Sequence, residues 1–261
     1  MRAITLTTDF GMADWFVGTV KAVILRIQPR ARVVDITHEI PPGDIRAGAF
    51  ALMASCRHFP NGTVHLAVVD PGVGSPRRAI AVRTADRFFV GPDNGLLSWA
   101  LRLEKIKTIR LLENRRYFLK PVSRTFHGRD IFAPVAAYLS RGLPAPRLGR
   151  ELKDYVRLPW PQTTKQRGLA RGEIVHIDRF GNAITNLEPG LVSGARAGAC
   201  ETMGERKLRC PLAEFYGAVP LNRPVALIGS SGLLEIAVNG GSAARQFGLK
   251  TGSPVTVRIK S

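Results

Sequence analysis

Thr63-Val64-His65-Leu66-Ala67-Val68-Val69 is a β-branched, largely apolar run that ends in Asp70-Pro71-Gly72. A run of this length closed by Pro and Gly reads as a strand buried on both faces, the kind found inside a parallel sheet. Toward the amino terminus, Asp44–Cys56 reads as a helix with small residues on its surface, and Arg32–Thr37 as a strand. Before these, Asp14 precedes Trp15, Phe16, Val20, Val23, Ile24 and Ile27, whose spacing gives one apolar helical face that Pro29 ends. Ala3–Thr8 reads as the first strand and completes a βαβαβ order. Toward the carboxyl side, Arg78–Arg83 and Arg87–Val90 are strand candidates. A helix from about Asn94 to Leu103, a strand near Thr108–Leu112 and a helix from Asp130 to Ser140 follow. Residues 1–150 therefore predict an α/β layer domain.

The grammar then changes. Pro144, Pro146, Pro159 and Pro161 punctuate a stretch of little periodicity, so residues 151–170 read as a linker. Beyond it Glu173–Asp178, Ala183–Leu187, Val225–Ile228, Leu233–Val238 and Val255–Ile259 are short apolar runs separated by Gly, Pro and Asn. That pattern predicts a small all-β barrel or sandwich over 171–261.

Bulk composition fits two such cores: 261 residues, 45% hydrophobic, 22% charged. The longest apolar runs fall far below the roughly 18 to 20 residues that span a bilayer, and Met1-Arg2-Ala3-Ile4 leads directly into a strand pattern. Neither a membrane span nor a signal peptide is expected. Cys56, Cys200 and Cys210 are an odd count without a CxxC pair, which argues against a disulfide framework or a zinc knuckle and makes a reducing cytoplasm the expected compartment. The net charge of +18 raises the question of a nucleic-acid partner. The excess is spread, with 23 basic against 11 acidic residues in 1–150 and 15 against 9 in 151–261, and forms no basic tail. With aromatics at 7%, no stacking platform for single strands stands out.

Several familiar signatures fail on inspection. Gly72-Val73-Gly74 follows a strand, but Arg77 occupies the third glycine position of a dinucleotide fingerprint and a strand follows where a helix belongs. Asp9-Phe10-Gly11 comes without the Gly-rich loop, the strand lysine or the catalytic-loop Asn of a kinase. Gly229-Ser230-Ser231-Gly232 precedes a strand, whereas a nucleophile elbow precedes a helix. What remains is polar residues at the carboxyl ends of strands, where open α/β sheets bind ligands: Asp9 after one strand and Asp70 after another. Either carboxylate also fits a role confined to its own turn. His127 sits just before a helix, and Asn182 and Asn239 sit in turn-forming sequences, so spacing alone leaves their roles open.

Taken together, these segments resemble the S-adenosyl-L-methionine hydroxide adenosyltransferases, relatives of the fluorinating and chlorinating enzymes. The resemblance runs nearly end to end. It rests on Thr7-Thr8-Asp9-Phe10-Gly11, Asp35-Ile36-Thr37-His38-Glu39-Ile40, Val68-Val69-Asp70-Pro71-Gly72-Val73-Gly74, Gly91-Pro92-Asp93-Asn94-Gly95-Leu96-Leu97 and Thr125-Phe126-His127-Gly128-Arg129-Asp130. The carboxyl half adds Ile177-Asp178-Arg179-Phe180-Gly181-Asn182, and Gly229-Ser230-Ser231-Gly232 with Glu235-Ile236-Ala237-Val238-Asn239. It implies a three-layer α/β amino-terminal domain, a smaller β-barrel carboxyl domain, and a homotrimer with active sites at subunit interfaces. It also implies catalytic roles for Asp70, Arg77 and His127, with Arg78 the neighbouring candidate for the arginine's place. By the same resemblance Asp9 would bind the ribose hydroxyls, and Asn182 the adenine. Asp178, Ser230 and Ser231 would bind the methionine portion, with Phe180, Glu235 and Val238 also in the substrate site.

The implied reaction is attack of water on the ribose 5′ carbon, a single in-line displacement with a neutral leaving group, for which no metal or cofactor is expected. A histidine held by a carboxylate suits activation of that water. The halogenating relatives lack the carboxylate and the histidine at these two places and carry an inserted amino-terminal loop; this chain has Asp70 and His127, and no insertion between Arg83 and Gly91. Water is thus favoured over halide. The alternatives are a halogenase, a basic nucleic-acid-binding module, and a nucleoside sensor that uses the same pocket without turnover.

Overall fold

The structure is a computed structural model that describes residues 2–193, 195–203 and 207–259. The chain divides into two compact units, Met1–Pro159 and Trp160–Ser261. In the first, β1 (Ile4–Thr8), α1 (Phe16–Ile27), β2 (Val33–Thr37), α2 (Ile45–Cys56) and β3 (Val64–Val68) follow in the expected order. β4 (Ala79–Thr84), β5 (Phe88–Pro92), the short α3 (Ser98–Leu101), β6 (Ile106–Leu111), a π-helical turn at Gly128–Phe132, α4 (Ala133–Ser140) and β7 (Glu151–Leu152) complete it.

Their seven strands form one mixed sheet in the order β2-β1-β3-β5-β4-β6-β7. β2, β1, β3 and β5 run parallel, and β4 turns the remainder antiparallel. Position in the sheet explains the sequence patterns. β1, β3 and β5 are interior and buried at every residue, which favours apolar and β-branched side chains, the threonines of β1 included, whereas the edge strand β2 is partly exposed. One face carries Ile4, Leu6, Val64, Leu66 and Val68 into a core with Val20, Val23 and Ile24 of α1 and Phe132, Val135, Ala136 and Leu139 around α4. α2 begins with Asp44, whose carboxylate accepts the Ala47 amide at 2.9 Å. Cys56 is buried at the end of α2, where burial pushes its thiol up to about 11.

The second unit contains β8 (Thr164–Gln166), β9 (Leu169–Ile177), β10 (Ala183–Thr185), α5 (Pro189–Val192), β11 (Ala195–Met203), β12 (Lys207–Cys210), β13 (Pro224–Ile228), β14 (Leu234–Val238), α6 (Ala243–Phe247) and β15 (Pro254–Ile259). Its main path is β12-β11-β15-β9-β10-β14-β13, antiparallel throughout, with β8 paired to β9. The sheet curls until its ends meet: Leu212, just past β12, bridges Ala226 of β13, and the Ala226 amide donates to the Pro211 carbonyl at 2.8 Å. Ile174, Leu187, Leu234, Ile236, Val255 and Val257 fill its interior. The molecule is thus mixed α/β with two sheets.

Residues 151–170, expected as a linker, carry β7 in the first sheet and β8 in the second. The helix expected over 94–103 shrinks to α3, with Asn94 outside it, its side-chain amide donating to the Val69 carbonyl at 2.9 Å. Cys200 and Cys210 oppose each other in the β11–β12 ladder; the side chain of Cys200 lies outside the described residues.

Candidate active site

β1 and β3 are neighbours in the sheet, yet β2 lies on the far side of β1, so the strand order reverses between them. That reversal opens a crevice at the strands' carboxyl ends. Asp9 follows β1 and Asp70 follows β3 at this place. A cleft of about 310 Å³ lies here, with Asp9, Gly43, Asp70, Phe126 and His127 among its lining residues.

Asp70 and Arg77 stand at the two ends of a loop tightened by hydrogen bonds from the Val73 amide to the Asp70 carbonyl and from the Ser75 amide to the Gly72 carbonyl. Gly74 (φ +80°) turns this loop, and a Cβ there would collide with the Arg124 carbonyl. The loop aims Arg77 back onto Asp70: Nε donates to both carboxylate oxygens, at 2.8 and 3.0 Å, and Nη2 to Oδ2. The same Nη2 donates to His127 Nδ1 at 2.9 Å. The side chains of Arg77 and Asp70 are only 11% and 5% exposed. The guanidinium also lies 5.3 Å from the centre of the Phe132 ring, inside the range of a cation–π contact.

His127 immediately precedes the π-helical turn, a local distortion that often accompanies functional side chains. Burial pushes its imidazole below 6.5, the positive charge of Arg77 adds to that push, and Asp70 and Asp130 oppose it. Because arginine has no acceptor, Nδ1 must accept, and the neutral ring carries its hydrogen on Nε2. The expected direct pairing of histidine with carboxylate is therefore replaced by an arginine that joins them. Arg78 points elsewhere, to Asp93 at 2.6 Å and Asp154 at 2.8 Å.

Asp9 accepts the Gly43 amide at 2.8 Å through one carboxylate oxygen. Phe10, Phe16 and Phe126 pack in a tilted and edge-on cluster beside it, with ring centres 5.2 to 6.0 Å apart. Gly128 packs tightly here, since a Cβ would press on the Phe10 ring.

In the second unit the Asp178 carboxylate organises the β9–β10 turn, accepting the amides of Phe180 at 2.9 Å and Asn182 at 2.8 Å and the Asn182 side-chain amide at 3.0 Å. Phe180 projects from the turn tip, 73% exposed. Glu235 on β14 is buried and accepts the Tyr216 hydroxyl at 2.8 Å. Burial raises the Glu235 carboxyl, with Asp178 adding to the rise and Tyr216 opposing it; the Tyr216 phenol is pushed up to about 12, mainly by its own burial. Ser230 is exposed in the β13–β14 turn, while the Ser231 hydroxyl is buried without a hydrogen-bond partner among the described residues. The Val238 side chain belongs to the core. Reading the residues did not anticipate Tyr216 or Gly43; only the exposed Phe215-Tyr216 pair and the glycine before the α2 cap hint at them.

No group of three or more His, Cys, Asp and Glu side chains suited to a metal occurs among the described residues. Among them, too, no helix is long and apolar enough to cross a membrane.

The chain matches the models of the SAM hydroxide adenosyltransferase N-terminal domain over residues 4–149 and C-terminal domain over residues 172–256. It is 44% identical to the (R)-S-adenosyl-L-methionine hydrolase of Thermus thermophilus over 98% of this chain and 99% of that protein. It is 40% identical to the enzyme of the same name from Salinispora tropica, over 97% of each. A conserved protein from Thermotoga maritima, known from its crystal structure, shares the fold with a TM-score of 0.93 at 39% identity, over 98% of this chain and 99% of that one. On these matches, the chain belongs to the SAM hydroxide adenosyltransferase family.

Proposed function

We propose that this protein hydrolyses S-adenosyl-L-methionine to adenosine and L-methionine, and that the (R) epimer at sulfur named for its relatives is the preferred substrate. The observation that carries the reading is the Asp70–Arg77–His127 cluster, in which one guanidinium joins Asp70 and His127 on the wall of a cleft. The oxygen of water forms a bond to the ribose 5′ carbon, the carbon–sulfur bond breaks, and its electron pair returns to sulfur as a neutral thioether. One proton leaves the water. With Nδ1 turned to Arg77, His127 holds the water by donating from Nε2, and the Asp70 carboxylate takes the proton and passes it to solvent. Arg77 fixes both partners; such positioning and proton transfer contribute about 10² to 10⁴ in rate. The sulfonium supplies its own leaving group, so no metal or cofactor is needed.

In this reading Asp9 binds the ribose hydroxyls and Asn182 the adenine, with Phe180, Glu235 and Val238 near the nucleoside. Asp178, Ser230 and Ser231 hold the methionine end. The amino-terminal part, 1–150, is a three-layer α/β domain and 171–261 a barrel, joined by 151–170. Because the substrate residues divide between the two, a homotrimer that sets the amino-terminal domain of one copy against the carboxyl-terminal domain of the next would complete each site. The cysteine usage suits a cytoplasmic enzyme, and the spread of basic residues gives no specific nucleic-acid surface. Sedimentation at micromolar concentration tests the assembly, with a mass three times the 28.5 kDa of one chain as the expected result. Incubation with the separated sulfur epimers, following adenosine and methionine by chromatography, tests the reaction. A 5′-halo product in excess chloride or fluoride would move the protein to the halogenating branch.

A further inference from the structure

Behind the Asp9 end of the cleft runs a chain of polar side chains that the proposed reaction does not use. His38, directly after β2, is 4% exposed. Its Nδ1 lies 2.7 Å from Thr8 Oγ1. Its Nε2 lies 3.2 Å from Asp35 Oδ1, an ion-pair distance without good hydrogen-bond alignment. The other Asp35 oxygen takes Lys21 Nζ at 2.6 Å. A ring lone pair facing the carboxylate would be repelled, so Nε2 carries hydrogen, Nδ1 accepts, and the Thr8 hydroxyl donates to it. Thr8 Oγ1 in turn accepts the Phe10 amide at 3.3 Å. Two further bonds link the same loops: the Gly11 amide donates to the His38 carbonyl at 2.8 Å, and the Gly43 amide to Asp9 Oδ2 at 2.8 Å. The loops after β1 and β2 are thus tied on both sides of Asp9, and His38 supplies the buried side-chain tie.

We infer that His38 is a positioning residue for the nucleoside end of the site: its side chain, through Thr8, adds to the tie its backbone carbonyl makes with the Gly11 amide, holds Asp9 in register with Gly43, and so sets the preference for a ribose with free hydroxyls. This rests on the reading of Asp9 as the ribose-binding carboxylate. His38 lies outside the Asp70–Arg77–His127 cluster, so its loss acts on binding more than on the chemical step.

The test is calorimetric binding of adenosine and of 2′,3′-dideoxyadenosine, with steady-state kinetics on S-adenosyl-L-methionine. His38→Ala should weaken adenosine about tenfold, the scale of one well-placed hydrogen bond to a charged group, and dideoxyadenosine less than twofold. KM should rise about tenfold with kcat reduced less than threefold. Thr8→Val should reproduce the effect, and His38→Asn, whose side-chain oxygen can accept from Thr8, should recover most of the affinity. If His38→Ala fails to fold, judged by its thermal melt, the last two variants decide. Equal losses for both ligands, or a fall in kcat at constant KM, would overturn the inference. Asp9→Ala weakening both ligands alike would instead overturn the ribose assignment, and the role of His38 with it.

Discussion

Arg77 and Arg78 are chemically identical neighbours with opposite surroundings, and a mutation at each separates them. Arg77 bridges Asp70 and His127, while Arg78 pairs with Asp93 and Asp154. Arg77→Ala should lower kcat about 100-fold, as should Asp70→Ala and His127→Ala, the loss expected when a positioned proton-transfer unit is broken. Arg78→Ala should change kcat less than threefold and show itself as a lower melting temperature. Steady-state rates of the four variants check this; equal losses at Arg77 and Arg78 would contradict the assignment. The histidine adds a pH dependence. Burial and Arg77 hold its imidazole below 6.5, so it is neutral at neutral pH. Acid puts a hydrogen on Nδ1 facing an Arg77 N–H and breaks that contact. kcat/KM should be level above about 6.5 and fall at lower pH, with a midpoint under 6.5. Arg77→Met removes a repelling charge and should move that midpoint upward; a downward shift would rule out the geometry.

The loops that carry these residues depend on glycines whose side of the chain is occupied. At Gly74 the φ of +80° and the Arg124 carbonyl both exclude a side chain, so Gly74→Ala must displace the segment that delivers Arg77. It should cost at least tenfold in kcat, while Gly91→Ala, on β5 against the Ala67 carbonyl of β3, should lower stability by about 2 kcal/mol or more through the sheet. Activity and melting temperature measured together distinguish the two. Strands buried on both faces were legible from sequence where burial leaves a largely apolar, β-branched run, as at β3. β11 and β12 were not: Ala-Arg-Ala-Gly-Ala-Cys-Glu-Thr-Met contains one β-branched residue and no aromatic, so only the tertiary ladder marks it as a strand. β7 and β8 were hidden for another reason, since two or three residues carry no periodicity. Asp9, Asp70 and His127 stood out as chemistry-bearing residues at strand and helix ends. The resemblance grouped Asp70 and His127 with Arg77, but the bridge that Arg77 makes between them depends on a turn of the loop that spacing does not encode. Tyr216 on Glu235 joins segments 19 residues apart and left no local trace.

At the scale of the whole molecule, an acid-sensitive histidine lies inside the first sheet. His65 of β3 is fully buried, bonded to Thr5 at 2.8 Å and stacked on Phe89, and burial pushes its imidazole down to about 3. Unfolded, the same group titrates near 6.5. The folded state therefore binds fewer protons between these values; the stability contribution is complete above about 6.5 and is lost as pH falls toward about 3. The unfolding free energy from denaturant titration should drop in this window, by up to about 1.4 kcal/mol per pH unit from this residue. His65→Leu should flatten that slope while costing about 1 to 3 kcal/mol at neutral pH for the orphaned Thr5 hydroxyl. An unchanged slope would place the acid sensitivity elsewhere. The most direct test of the central claim is to incubate purified, metal-stripped protein with S-adenosyl-L-methionine, with and without excess halide, and identify the products by mass. Adenosine and methionine in equal amounts, insensitive to halide and slowed about 100-fold by His127→Ala, is the result predicted here. A 5′-halo nucleoside, or no turnover despite adenosine binding, would contradict it.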